Sequence, residues 1–137
     1  MLRFRQKRGR DGEDIAVAFL LSQSMRVVER NWRPRGGGLR GEVDIIAWDH
    51  TGREPTLCFV EVKTRALTEG SNPQAAVDHA KQLQLSRLAN AYVSTRKGPE
   101  VAARFDVVEV WMPDGPELPR VALHRGAFDF RTSSKRV

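Results

Sequence analysis

Residues 56–64, TLCFVEVKT, read as an extended segment that is apolar on both sides for half its length and then turns charged. Successive side chains of a strand point to opposite faces. Leu57, Phe59, Glu61 and Lys63 therefore share one face, while Cys58, Val60 and Val62 take the other. A strand apolar on both faces must be covered on two sides, which calls for layers of structure above and below a sheet. Charge then arrives at its C-terminal end, on one face only. A carboxylate there is costly to bury unless it is paired, hydrogen-bonded or bound to a metal.

The remaining segments supply the layers. Residues 11–23 predict a helix, with Ile15, Ala16, Phe19 and Leu20 at helical spacing. Residues 25–32 are extended, and 33–40 form a loop around Pro34 and Gly36-Gly37-Gly38. That loop lacks the Gly-Lys-Ser/Thr of a Walker phosphate cradle. Residues 42–48 read as a strand that forms a hairpin with 56–64 across a turn at Thr51-Gly52. Asn72 and Pro73 open a second helix that runs to about Thr95. Strands follow at 104–112 and 120–124. The order α-β-β-β-α-β-β predicts an α/β domain, a mixed β-sheet flanked by helices, without the regular alternation of a doubly wound fold.

A chain of 137 residues holds one such domain. Net charge is +6, but residues 1–10 carry five basic side chains and residues 131–137 carry three, with no acids in either. The body between them sums to −2. We read a basic N-terminal arm (1–10), a single domain (11–130) and a basic tail (131–137). One internal stretch is locally basic: Arg30, Arg33, Arg35 and Arg40. Such charge permits a polyanionic partner without establishing one. The longest apolar run, residues 15–21, falls far short of the ~20 residues of a transmembrane helix. No secretory signal pattern follows the basic N-terminus. Cys58 is the only cysteine and three scattered histidines give no zinc spacing or nucleophilic pair. The expectation is a cytoplasmic protein with no membrane partner.

Chemistry is concentrated at the hairpin. Asp44 lies on the strand 42–48 among Val43, Ile45 and Ala47, and pairing with 56–64 brings it towards Glu61. Two carboxylates about 4 Å apart repel by roughly 4 kcal/mol at an effective dielectric of 20. A divalent cation removes that penalty, and Mg²⁺, which prefers oxygen ligands, suits the donors. Lys63 projects on the same face as Glu61, where it can orient an attacking water or offset charge on a phosphorane-like transition state. Glu13, on the first helix, can complete the shell. The competing reading is an ion pair between Glu61 and Lys63, with Asp44 capping the hairpin or bound to an arginine; spacing alone leaves the two in balance. Glu42 reads more readily as an exposed strand-start residue than as an extra ligand. Asp106 reads as a structural partner of Arg104. Trp32, among arginines, is either a stacking platform for a base or a packed core residue.

Asp44 followed by Glu61-Val62-Lys63 resembles the PD-(D/E)xK signature of restriction-endonuclease-like nucleases. More closely, the chain resembles the YraN-type bacterial family, itself similar to archaeal Holliday-junction resolvases. The matching stretches are Gly12-Glu13 with Ala16, Asn31-Trp32-Arg33, Gly41 through Ala47, Phe59 through Arg65, Ala76-Val77 with Lys81-Gln82, and Arg104 through Val107. They cover roughly residues 9–130. Val43 stands where the signature has proline. The resemblance implies a restriction-endonuclease-like core with Mg²⁺ or Mn²⁺ on Asp44, Glu61, the Val62 carbonyl and Glu13. It implies catalysis by Asp44, Glu61, Lys63 and Glu13, and a DNA partner, branched DNA included. Arg30, Arg33, Arg35, Arg40, Arg65, Lys81 and Gln82 are then candidates for nucleic-acid contact, and a homodimer is expected. The alternatives are a nucleic-acid-binding module of the same fold without catalysis, and a protein-interaction domain whose acids are an ion-pair network.

Overall fold

The doubly apolar segment is the middle strand of a five-stranded sheet. A computed structural model describes residues 2–131, with side chains from Gly9 onward. Its elements are α1 (Leu2–Ser22), β1 (Met25–Trp32), β2 (Val43–Asp49), β3 (Thr56–Ala66), α2 (Pro73–Ala76), α3 (His79–Thr95), β4 (Ala102–Met112) and β5 (Arg120–Phe128). Sheet order follows chain order, β1-β2-β3-β4-β5. Three of the four pairings are antiparallel, whereas β3 and β4 run parallel from Thr56↔Ala102 to Ala66↔Met112. Parallel neighbours need a long crossover, and α2 and α3 provide it.

Each face of the sheet has its own core. Val43, Ile46, Leu57, Phe59, Phe105 and Val107 pack with Val77, Leu85, Leu88 and Ala89 on the side of α3. Ile45, Ala47, Cys58, Val60, Val108 and Val110 pack with Ala16 and Leu20 of α1 on the other. The alternation expected for 57–60 therefore holds, and all four residues are buried.

Three expectations are revised. The first helix, expected from residue 11, starts at Leu2, so its main chain runs through 2–10. Met1 and tail residues 132–137 lie outside the described residues, as do the side chains of 2–8. The second helix is two. Asn72 Oδ1 caps the short α2 through Ala75 N–H, Val77 departs to φ −136°, and Asp78 caps a new start through Lys81 N–H. Two N-cap residues six positions apart each satisfy orphan N–H donors, and together they favour a break over one continuous rod. Finally, β5 continues to Phe128, where Phe105 and Phe128 stack with ring centroids 4.5 Å apart.

The β2–β3 ladder decides what the sheet can carry. Its regular pairing runs from Asp49↔Thr56 up to Ile45↔Val60 and stops there. Beyond that point Val43 belongs to the α3-side core while Ile45 belongs to the α1 side. Alternation is thus interrupted at Asp44. On the other flank, β1 carries a bulge at Val27/Glu29, and Asn31 sits at φ +50°. Asparagine is among the few non-glycine residues that adopt this left-handed conformation readily.

Candidate metal centre

Where the β2–β3 ladder ends, the side chain of Asp44 takes over from the backbone. Its Oδ2 accepts a hydrogen bond from Val62 N–H at 2.8 Å. This ties β2 to β3 one residue past Glu61 and fixes the carboxylate against the strand end. Glu13 reaches the same place from α1. Its neighbour Gly12 is buried against Thr64 of β3, and a Cβ built at residue 12 would collide with Thr64 Oγ1. Glycine is what lets the helix come this close.

One carboxylate oxygen from each of Glu13, Glu42 and Asp44 lies within 4.8 Å of the other two. Glu42, expected as a solvated strand start, is therefore part of the cluster. Asn31 explains how. Its Nδ2 donates both to Glu13 Oε1 at 3.1 Å and to Glu42 Oε1 at 2.9 Å, so one amide bridges helix and strand. Arg33 holds the far oxygen of Glu42, Nε at 3.0 Å and Nη2 at 2.7 Å. An open pocket of about 350 Å³, lined by Gly9, Arg10, Glu13, Asn31 and Glu42, lies against these groups.

Glu61 approaches from the α3 side. Its Oε2 is 3.4 Å from Lys81 Nζ, and its Oε1 is buried with no hydrogen-bond partner. Burial pushes the Glu61 carboxyl up to about 8, aided by the charge of Asp44 and opposed by Lys81. Burial also pushes Asp44 up to about 6, with Glu13 and Glu42 adding to the rise while Val62 N–H and Lys81 pull against it. Both shifts have one origin: negative charge gathered in a half-dry place with too few donors.

These donors fit a hard divalent cation. All are carboxylate oxygens, the ligand type of Mg²⁺, Mn²⁺ and Ca²⁺. Ligands at 2.0–2.1 Å from Mg²⁺ stand roughly 3–4 Å from one another, and about 5 Å apart at most around Ca²⁺. The observed spread of Glu13, Glu42 and Asp44 falls in that range. Glu61, expected as a ligand, is not one of these three; its Oε2 faces Lys81, and its Oε1 is a buried acceptor without a donor.

The other expected residues divide into two sets. Lys63 stands exposed two residues beyond Glu61 and makes no ion pair among the described residues. Arg35 and Arg40 are exposed as well and pair with no acid among the described residues. Arg30 instead binds Asp14 at 2.7 Å on the surface. Arg65, expected to contact nucleic acid, is buried: its Nε lies 2.7 Å from Glu109 and its Nη2 donates to the Asn72 carbonyl. Gln82 is occupied by the Val77 carbonyl and by Arg131 Nε. Asp106 binds Arg104 at 2.7 Å, as expected. Asn31 was the functional-site residue not singled out. Its place between Glu13 and Glu42 depends on a left-handed backbone that neighbouring residue types do not announce.

An open five-stranded α/β sheet between helices, with an acidic cluster where α1 meets the ends of β2 and β3, is the class that fold and site define. The chain belongs to the family described as Uncharacterised protein family UPF0102, whose pattern matches residues 12–110. It is 44% identical over 102 residues to a UPF0102 protein of Chlorobium phaeobacteroides, covering 74% of this chain and 75% of that one. To a UPF0102 protein of Trichlorobacter lovleyi it is 44% identical over 118 residues, 86% and 87% of the two chains. A relative from Geobacter sulfurreducens is 45% identical over 119 residues, 86% and 85%. Among the described residues no helix is long and apolar enough to cross a membrane.

Proposed function

We propose that this chain is a metal-dependent nuclease that hydrolyses phosphodiester bonds in DNA. The observation that carries the reading is the partnerless, buried Glu61 Oε1 beside Asp44, with Glu13 and Glu42 converging on the same strand ends. A protein rarely leaves a buried acceptor unmatched without a reason. Mg²⁺ or Mn²⁺, when bound, supplies Lewis acidity and lowers the pKa of a coordinated water.

The chain's own residues do the rest. Asp44, Glu13 and Glu42 provide anionic oxygens, Asp44 being oriented by Val62 N–H. Glu61 offers its free oxygen while Lys81 offsets its other one. Lys63, exposed and without an acidic partner among the described residues, is available to hold a scissile phosphate or an attacking water in place. The likeness of Asp44…Glu61-Val62-Lys63 to the PD-(D/E)xK signature supports the same assignment, and the homodimer that likeness implies belongs to this proposal.

The second reading, a nucleic-acid-binding module of this fold without hydrolysis, draws on the ion pairs Arg33–Glu42 and Lys81–Glu61, which already offset two of the four acids. Incubation with linear duplex, single-stranded and four-way-junction DNA in Mg²⁺ or Mn²⁺ separates them. Hydrolysis is expected with the metal and not in chelator. It should fall at least about a hundredfold in Lys63→Ala, the typical loss for one transition-state donor, and vanish in Asp44→Asn. Salt-sensitive binding with no cleavage on any substrate selects the second reading.

A further inference from the structure

A cleft of about 600 Å³ lies between the loop 33–40 and α3, and Arg33, which binds Glu42 of the acidic cluster, is one of its lining residues. Trp32 and Leu39 line it, Ala91 and Thr95 of α3 contribute from the opposite side, and Arg33 and Arg35 rim it. We propose that it is a subsite for an unpaired nucleobase of the DNA strand engaged at the acidic cluster; it deepens the nuclease reading and rests on it for the identity of that strand.

Three observations converge. The lining is aromatic and aliphatic, contains two arginines and includes no acid, the combination that single-strand sites use to stack a base while holding its phosphate. The Trp32 ring is fixed: it meets Tyr92 edge to face, centroids 5.1 Å apart and planes at 88°, so a base would stack on a platform that has already lost its rotamer freedom. The loop that forms one wall is also held at both ends. Gly36, Gly37 and Gly38 have φ of +68°, +77° and +73° with open space where each Cβ would stand. The loop is pinned at one end by Arg33 on Glu42 and at the other by Gln84 Nε2 donating to the Arg40 carbonyl at 3.2 Å. Its volume falls within the roughly 300–1,000 Å³ of sites for small organic groups.

Arg33 connects the two places. It is among the residues that line the cleft, and its guanidinium holds Glu42 Oε2 at 2.7 Å. A strand whose base enters the cleft therefore has its backbone led past Arg33 towards the carboxylates. Duplex DNA, with bases stacked and paired, has none to offer. The cleft thus selects frayed, branched or single-stranded segments.

The test is binding in EDTA, where cleavage plays no part, by fluorescence anisotropy of three labelled probes of equal length: single-stranded oligothymidylate, a duplex, and an abasic strand with the same phosphates. The single strand should bind about tenfold or more tightly than the abasic one, and Trp32→Ala should lower single-strand affinity by roughly 5- to 100-fold while leaving the duplex unchanged. Circular dichroism checks the fold. Ala91→Phe, which fills the cleft from α3 while leaving the Trp32 side chain in place, should reproduce the loss, and Arg35→Ser should reduce the salt slope by about one. Equal affinity for abasic and base-bearing strands overturns the proposal, as does a folded Ala91→Phe variant with undiminished single-strand binding, or no binding of any oligonucleotide. Base-dependent binding by a protein that cleaves nothing in Mg²⁺ or Mn²⁺ upholds the subsite while removing the nuclease reading.

Discussion

Two groups of buried acids sit on neighbouring strands of this sheet and are treated in opposite ways. Glu109 of β4 has no exposure, yet every side of it is answered: Arg65 Nε at 2.7 Å, Asn72 N–H at 2.8 Å, Ser71 Oγ at 2.6 Å and His124 Nε2 at 2.8 Å. Burial alone would raise its pKa, but Ser71, Asn72 N–H, Arg65 and His124 together hold it down to about 2. At the ends of β2 and β3, Asp44 and Glu61 are also half-dry but under-supplied, and both rise. The first group is a closed structural solution. The second is left open in the free protein, which is what a ligand-binding site requires. A buried carboxylate is therefore not itself a functional signal; the donors missing around it are.

The contrast is sharpest in stability. Glu109→Ala leaves the Arg65 charge buried and unpaired, and should cost about 3–5 kcal/mol by urea denaturation. Glu61→Gln, in chelator at pH 8, should cost nothing or stabilise, because it removes a charge that folding disfavours. Equal losses for the two variants would erase the distinction. Metal addition comes next. Saturating Mn²⁺ or Mg²⁺, at about a hundred times its dissociation constant, should stabilise the wild-type fold by roughly 2.7 kcal/mol, with no such gain in Asp44→Asn.

Dependence on pH separates the groups by sign. Asp44 and Glu61 keep their protons longer folded than unfolded, so their contribution to metal-free stability is lost as pH rises from the ordinary carboxylate range through about 6 and about 8. Metal affinity should climb across the same window, since ligands must be deprotonated. Glu109, held low, contributes stability above the ordinary carboxylate range that is lost only as pH falls towards about 2. Denaturation in EDTA between pH 5 and pH 8.5, with and without Glu61→Gln, reads the first effect directly. Smallest is Asn31→Ala. Freed from their shared donor, Glu13 and Glu42 should bind Mn²⁺ about tenfold more weakly in calorimetry.

The sheet's centre was legible because it obeys a local rule. TLCFVEVKT shows its two buried faces in residue order, and the Asp44–Glu61 proximity follows from a hairpin alone. Glu42 and Asn31 escaped because the strand rule fails where they lie: the ladder ends at Ile45↔Val60 and Asn31 turns left-handed. Arg65 misled for a different reason. Its partner is 44 residues away, across a parallel pairing whose register depends on the whole crossover through α2 and α3. The break at Val77 is hidden because apolar spacing continues through it, while the second cap at Asp78 shows itself only in the backbone it holds.

The contact between Gly12 and Thr64 has a last consequence. Helix and sheet meet there as hard surfaces with no hinge between them, so the gap from Glu13 to the strand carboxylates is set by atomic radii before any ion arrives. A cation held by Glu13, Glu42 and Asp44 would therefore meet a spacing set in part by a residue that never touches it, and an ion too wide for that spacing would have to lever the helix away from the sheet.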